Sequence, residues 1–187
     1  MNQEDIVDFI FEIGMLKRVS REGWKLIGIT NPESVAEHSL RAAQIGYILA
    51  TMEGYNNPEE ICSMLVFHDI GECRIGDLHK VANRYATADE KQVVEDQLKK
   101  LEDTGDKIFT LWQQVETQDS IAGKIAKDAD LLELAVTACE YKQNGYHGAT
   151  DWLQKTAKRI QTNAGKQLLE ALIKGDSNHW WQGLKKI

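Results

Sequence analysis

The stretch Met64-Leu-Val-Phe-His-Asp-Ile-Gly71 ends an apolar, helix-like segment with two adjacent polar side chains. An imidazole and a carboxylate in such a segment are costly to bury unless they are paired or bind a cation. Glu72 follows four residues after His68 and three after Asp69, so all three lie on one side of a helix. Taken alone, this segment leaves two interpretations equally open: a core histidine satisfied by a carboxylate, or a cation site.

Helical spacing of apolar residues continues on both sides of this segment, and no convincing period-2 run is present. Ser34 and Glu37 have the spacing of a capping box, and Asn57 precedes Pro58 as a helix cap. Residues 19–33 and 71–86 are predicted to be loops. The sequence therefore predicts an all-α fold of about seven to nine helices, which cover roughly 6–16, 34–53, 58–68, 87–101, 107–116, 120–144, 149–162 and 164–174.

Length and charge narrow the class of protein. A chain of 187 residues with 42% hydrophobic residues is long enough for one sizeable core. The net charge of −7 argues against a protein that grips a nucleic-acid polymer. The longest apolar stretch, 45–52, is far too short to span a membrane, and the acidic N-terminus does not have a signal-peptide pattern. We therefore expect a cytoplasmic protein that handles small molecules.

Three further polar residues favour the cation site. His38 is in the first turn of the second predicted helix, and Asp130 precedes Leu131-Leu132 in the predicted helix 120–144, which also contains Asp128. Asp77 follows Glu72 in the predicted loop. Two imidazoles and two carboxylates from three helices form a donor set suited to a borderline divalent ion.

This arrangement resembles the HD-domain phosphohydrolase superfamily, whose signature H…HD…D corresponds here to His38, His68-Asp69 and Asp130. The spacing and flanking segments are most similar to the HD-domain 5′-deoxynucleotidases, which hydrolyse deoxyribonucleoside 5′-monophosphates. The similarity covers roughly residues 10–145. Its other segments are Leu16-Lys-Arg18 with Arg21 and Trp24, Pro32–Ser39, His68–Glu72, Ile75–Leu78 and Lys127–Glu133.

The resemblance implies a role for each site residue. It makes His38, His68, Asp69 and Asp130 the ligands of one divalent metal ion, with cobalt or manganese first and magnesium, zinc, nickel, iron or copper as alternatives. Glu72 and Asp77 match the catalytic carboxylates, with their individual roles left open. Three residues are candidates for substrate binding: Arg21, Trp24 and Arg18. For Arg18, a solvated basic helix end is an equal alternative.

The resemblance also sets expectations for the whole molecule. It implies a single HD domain over residues 1–187, with the metal site within 34–133 and a C-terminal helical extension at 149–187. A homodimer is expected, and Trp180-Trp181 is predicted to pack the tail onto the body or onto a second subunit. Two alternatives to the deoxynucleotidase remain open: an HD-domain enzyme for another phosphate ester or a cyclic nucleotide, and a catalytically inert helical binding protein.

Overall fold

The computed structural model describes residues 2–184, and within this range the chain is all-α, as predicted. It contains no β-strand there, only a single β-bridge between Ser20 and Ser34. Eight helices have eight or more residues, which agrees with the predicted seven to nine. The helices are α1 Gln3–Ile13, α2 Val35–Met52, α3 Pro58–Phe67, α4 Glu72–Ile75, α5 Glu90–Leu98, α6 Glu102–Thr117, α7 Ile121–Gln143, α8 Thr150–Ala157, α9 Asn163–Lys174 and α10 His179–Gln182.

Local capping explains where two of the long helices begin. Ser34 Oγ accepts a hydrogen bond from the Glu37 amide (3.2 Å), and the Glu37 carboxylate accepts one from the Ser34 amide (2.6 Å), so the predicted capping box of α2 is confirmed. Ser120 caps α7 by accepting a hydrogen bond from the Gly123 amide at 3.0 Å. Pro58 opens α3 as predicted, although the Asn57 side chain makes no capping hydrogen bond.

Several predicted boundaries were wrong. The predicted loops contain helical turns, since 22–27 and 82–84 are 3₁₀ helices and 72–75 forms α4. The predicted helix at 87–101 begins later, at Glu90, where Asp89 caps α5 by accepting a hydrogen bond from the Gln92 amide. The predicted helix at 107–116 begins earlier, at Glu102, and the predicted helix at 149–162 ends at Ala157. Beyond the end of α8, the amides of Gln161 and Thr162 donate hydrogen bonds to the buried carboxylate of Asp128, so this segment does not continue the helix.

The long helix α7 packs against α2, α3, α6, α8 and α9. Its buried apolar face includes Leu132, Ala135 and Ala138. Helices α2 and α3 lie so close together that a Cβ atom at Gly46 would come within 2.3 Å of Leu65 Cδ1. This close packing joins α2 and α7, which carry His38 and Asp130, to α3, whose end His68 and Asp69 directly follow.

A second group of buried apolar residues joins α1, α5 and α6. No helix in the described range has the length and apolar character that crossing a membrane requires. Trp180 in α10 is 73% exposed. It is therefore not packed onto the body of its own chain, which was one of the two predicted arrangements.

Candidate metal centre and active site

Four predicted ligands meet at one point between α2, α3 and α7. His38 Nε2 lies 3.3 Å from His68 Nε2 and 3.2 Å from Asp130 Oδ1. Asp69 Oδ2 lies 3.2 Å from His68 Nε2 and 3.6 Å from His38 Nε2. Both imidazoles are buried, with exposed fractions of 0% and 2%. Two nitrogens and two carboxylate oxygens therefore face one small region of the interior.

The second nitrogen of each imidazole is held by the protein. His68 Nδ1 donates a hydrogen bond to the carbonyl oxygen of Leu65, at 2.7 Å, within the last turn of α3. His38 Nδ1 donates to the carboxylate of Glu133 on α7. Each Nε2 is consequently left facing the shared region, which is how histidines that bind metals are usually oriented.

The electrostatics of this region favour a cation. Burial and Arg21 act to lower the pKa of His38, but hydrogen bonds to Asp130 and Glu133 raise it to about 10. Burial acts to raise the pKa of Asp130, but Lys127 and His38 hold it well below its usual value. The carboxylates are therefore ionised and the field stabilises positive charge. The donor atoms of His38, His68 and Asp130 lie within 4.8 Å of one another, and Asp69 Oδ2 beside both imidazoles adds a second oxygen, so the set fits one divalent cation.

Two carboxyl groups beside these ligands have a different environment. Burial and the negative charges of Asp69 and Asp77 raise the pKa of Glu72 to about 9. Within the described part of the chain, Glu72 Oε2 is buried and has no hydrogen-bond partner. Asp77 Oδ2 accepts a hydrogen bond from the Glu22 amide at 2.8 Å, and burial raises the pKa of Asp77. Glu72 thus keeps a proton near neutral pH, as a general acid must.

Arg21 joins the ligand cluster to these carboxyl groups. Its Nη1 lies 3.4 Å from Asp69 Oδ2, and its Nε lies 4.0 Å from Asp77 Oδ2. Burial acts to lower the pKa of Arg21, but Asp69 and Asp77 raise it above the usual value, so the guanidinium is charged. Arg21 also lines the neighbouring cavity, where a charged guanidinium can bind a phosphate.

The predicted aromatic contact, Trp24, lies in the wall of the same cavity. It is only 1% exposed, and its Nε1 donates a hydrogen bond to Glu33 Oε1 at 3.2 Å. Its ring packs against Tyr141 and Trp152, with centroid distances of 5.1 and 5.4 Å. Trp24 therefore has a fixed position and presents only a small part of its ring.

Arg18 is the one predicted site residue that the structure does not bring to the cluster. It is exposed, its Nη1 lies 3.9 Å from Met15 Sδ, and it does not line the cavity. This position agrees with the alternative of a solvated basic helix end. The other eight predicted site residues lie at the cluster or beside it.

The cavity beside the cluster has a volume of about 440 Å³. Arg21, Asp77 and Asp130 line its inner part. Sequence reasoning missed its outer wall, which α8 contributes, because α8 reaches the site only through its packing on α7. The wall residues from α8 are Asp151, Trp152, Lys155 and Thr156, and Arg159 from the segment after α8 joins them.

Sequence reasoning also missed three residues that contact the ligands or their partners. Glu133 is three residues after Asp130, and Arg41 is three residues after His38. Lys127 Nζ lies 2.8 Å from Asp130 Oδ2. A helical spacing of three from each ligand was the signal that could have identified all of them.

Comparisons with known proteins agree with this geometry. A family model described as HD domain matches residues 13–172. The chain is 29% identical to 5′-deoxynucleotidase HDDC2 of Bos taurus over 175 residues, 90% of this chain and 84% of that protein. It is 30% identical to 5′-deoxynucleotidase HDDC2 of Danio rerio over 145 residues, 75% of this chain and 71% of that protein. A solved structure of a conserved hypothetical protein from Pyrococcus furiosus is 27% identical, with a TM-score of 0.75, over 90% of this chain and 99% of that one.

Proposed function

The chain belongs to the HD-domain family, and on this basis we propose that it is a metal-dependent phosphomonoesterase acting on deoxyribonucleoside 5′-monophosphates. The products are a deoxynucleoside and phosphate. The observation that carries this proposal is the convergence of two imidazoles and two aspartates beside a cavity that also holds Arg21 and Asp77. The relatives named 5′-deoxynucleotidase support the choice of substrate.

In this proposal His38, His68, Asp69 and Asp130 hold one divalent ion, with cobalt or manganese preferred. Such an ion, when bound, lowers the pKa of a coordinated water and polarises a phosphoryl oxygen. The contacts of both Nδ1 atoms support the assignment, because they leave each Nε2 facing the aspartates, where a bound cation would take the place of a proton.

Two carboxyl groups carry out the proton transfers. Glu72 donates a proton to the leaving 5′-oxygen, because burial and nearby negative charge keep it protonated near neutral pH. Asp77 lines the cavity and is fixed by the Glu22 amide, so it orients the attacking water and accepts the proton that this water loses. Arg21 binds the phosphate, and Trp24 limits the space beside the nucleoside.

The test is phosphate release from a panel of deoxyribo- and ribonucleoside 5′-monophosphates, with Co²⁺, Mn²⁺, Mg²⁺ or Zn²⁺ added to protein stripped of metal. We expect release that requires a metal and is faster with the deoxyribonucleotides. A phosphodiester and a cyclic nucleotide belong in the same panel. Hydrolysis of these alone would favour the alternative HD-domain chemistry, and no release from any substrate would refute the proposal.

We also propose that the protein is a homodimer in the cytoplasm. An apolar groove between α1, α2 and α3 supports the dimer, since Ile10, Leu40 and Val66 line it and are 56%, 61% and 49% exposed. Light scattering on the wild type and on Leu40→Asp tests the dimer, which the substitution should weaken.

Cell fractionation tests the proposed cytoplasmic location. Limited proteolysis tests the prediction that residues 1–187 form one domain.

A further inference from the structure

A buried carboxylate stands directly behind one of the proposed ligands. Glu133 is 0% exposed and accepts a hydrogen bond from His38 Nδ1, the nitrogen that faces away from the cluster. A buried carboxylate is costly unless its charge is compensated. Arg41 provides this compensation, because its Nε donates to Glu133 Oε1 at 2.9 Å and its Nη2 lies 2.8 Å from the same oxygen.

Arg41 is itself held by further partners. Its Nη1 donates to both oxygens of Glu140, at 2.9 and 3.1 Å, and its Nη2 donates to the Thr137 hydroxyl. Thr137 Oγ1 also donates to Glu133 Oε1, at 3.0 Å. The carboxylate behind His38 therefore has little freedom to move.

The two imidazoles of the cluster are not supported in the same way. His68 Nδ1 donates to a neutral carbonyl oxygen, that of Leu65, whereas His38 Nδ1 donates to an ionised group. A carboxylate acceptor raises the basicity of the imidazole and fixes its tautomer more strongly than a carbonyl does. His38 should consequently be the stronger of the two nitrogen ligands.

We propose that Glu133 is a positioning residue that keeps the hydrogen of His38 on Nδ1, so that the Nε2 lone pair faces the cation, and that Arg41 holds Glu133 in place for this role. The inference rests on the metal centre of the proposed function. Glu133 does not line the cavity, and it bonds the His38 nitrogen that faces away from the cluster, so its effect reaches the metal through His38.

The direct test is calorimetric titration of metal-free protein with Mn²⁺ or Co²⁺. Glu133→Gln retains the shape of the side chain and removes its charge, and we expect about a 10- to 100-fold loss of metal affinity. Glu140→Gln is the matched control, because it removes a charge from the same arginine without contacting His38. Its metal affinity should stay within about twofold of the wild type. Circular dichroism of each metal-free variant verifies that it is folded.

A spectroscopic measurement decides the case even where Glu133→Gln does not fold. In Zn²⁺-loaded wild-type protein with ¹⁵N-labelled histidine, the His38 Nδ1–H proton should give a protected, strongly downfield resonance. Absence of this proton overturns the inference. It would also be absent if a cation instead bound between His38, Glu33 and Glu133, whose donor atoms lie within 4.8 Å of one another.

The outcomes separate the two proposals. If the wild type binds no metal ion at all, the proposed function fails. If the wild type binds metal and a folded Glu133→Gln binds it equally well, only the role of Glu133 is overturned. Weaker binding by Glu133→Gln, unchanged binding by Glu140→Gln and the Nδ1–H resonance together support the inference.

Discussion

Asp128 and Asp130 lie two residues apart on α7 and have opposite environments. Asp128 is 0% exposed, and its carboxylate accepts hydrogen bonds from the amides of Gln161 and Thr162, the latter at 2.7 Å. Asp130 instead faces His38 Nε2 at 3.2 Å. Since successive helix positions are about 100° apart, the two side chains leave α7 on nearly opposite sides.

The contrast shows that burial does not identify a functional carboxylate. Backbone amides are neutral donors, so Asp128 is satisfied without any charged or metal-binding partner. Asp130 faces an imidazole whose other nitrogen is already occupied, together with a second imidazole and a second aspartate. The partners of the oxygen atoms, rather than their depth, assign Asp128 to the fold and Asp130 to the site.

The largest expected effect is that of Asp130→Ala. Removing one of four proposed ligands should abolish binding of the metal and lower phosphate release by more than about 10⁴-fold, because the activated water and the polarised phosphoryl oxygen both depend on the metal. Metal analysis of the purified variant and the nucleotide assay measure the two losses. The metal-free variant should stay folded by circular dichroism. A variant that retains bound metal would contradict the distinction between the two aspartates.

Glu72→Gln extends the comparison of Asp128 and Asp130 to a third carboxyl group, which lies near the metal ligands but is not proposed as one of them. The substitution removes the proton that Glu72 holds near neutral pH, and kcat should fall by about 10²- to 10⁴-fold. Metal affinity, measured by titration calorimetry, should stay within about twofold of the wild type. An equal loss of metal from Glu72→Gln and Asp130→Ala would make Glu72 a ligand instead.

Asp128→Ala should affect stability and not chemistry. It leaves the amides of Gln161 and Thr162 without their acceptor, at a cost of about 2–4 kcal/mol in the free energy of unfolding. Urea denaturation measures this loss. Metal affinity and kcat per folded molecule should be unchanged. If Asp128→Ala has the unfolding free energy of the wild type but loses metal, the two aspartates have been assigned the wrong roles.

The sequence predicted most of the fold because the signals for it are local. Helical periodicity identified all the long helices, and Ser34 and Ser120 begin α2 and α7 through caps within their own segments. The start of α6 was missed because it depends on packing. A Cβ at Gly105 would lie 2.3 Å from the Leu98 carbonyl oxygen, so a residue typical of helix ends lies inside this helix to permit a close contact.

The resemblance to the family, carried by the order of residues along the chain, named the four proposed ligands, and the structure brings their side chains together. Sequence alone placed Asp128 and Asp130 in the same helix and could not show which neighbours each would meet. The amides that satisfy Asp128 come from the segment between α8 and α9, more than thirty residues later. Such partners, like the cavity wall from α8, are set by tertiary packing that no local pattern encodes.

The smallest expected effect concerns a carboxylate that is neither a ligand nor buried. Ser34→Ala removes half of the capping box one turn before His38 and should cost about 1 kcal/mol in the free energy of unfolding near neutral pH. The hydrogen bonds from Ser34 lower the pKa of Glu37 from its usual 4.5, so the unfolded chain binds more protons there than the folded one. The stabilisation by Glu37 is therefore complete well above pH 4.5 and is lost as the pH falls through the lower, folded pKa. Urea denaturation at several pH values should show that the difference in unfolding free energy between wild type and Ser34→Ala shrinks in acid.

Ser63→Ala is the control. It removes an exposed hydroxyl bonded to the Glu59 carbonyl and should show no such pH dependence. A difference for Ser34→Ala that stays constant in acid would show that the Ser34 hydroxyl contributes nothing to the lowered pKa of Glu37, since the backbone amide that also bonds this carboxylate remains in the variant.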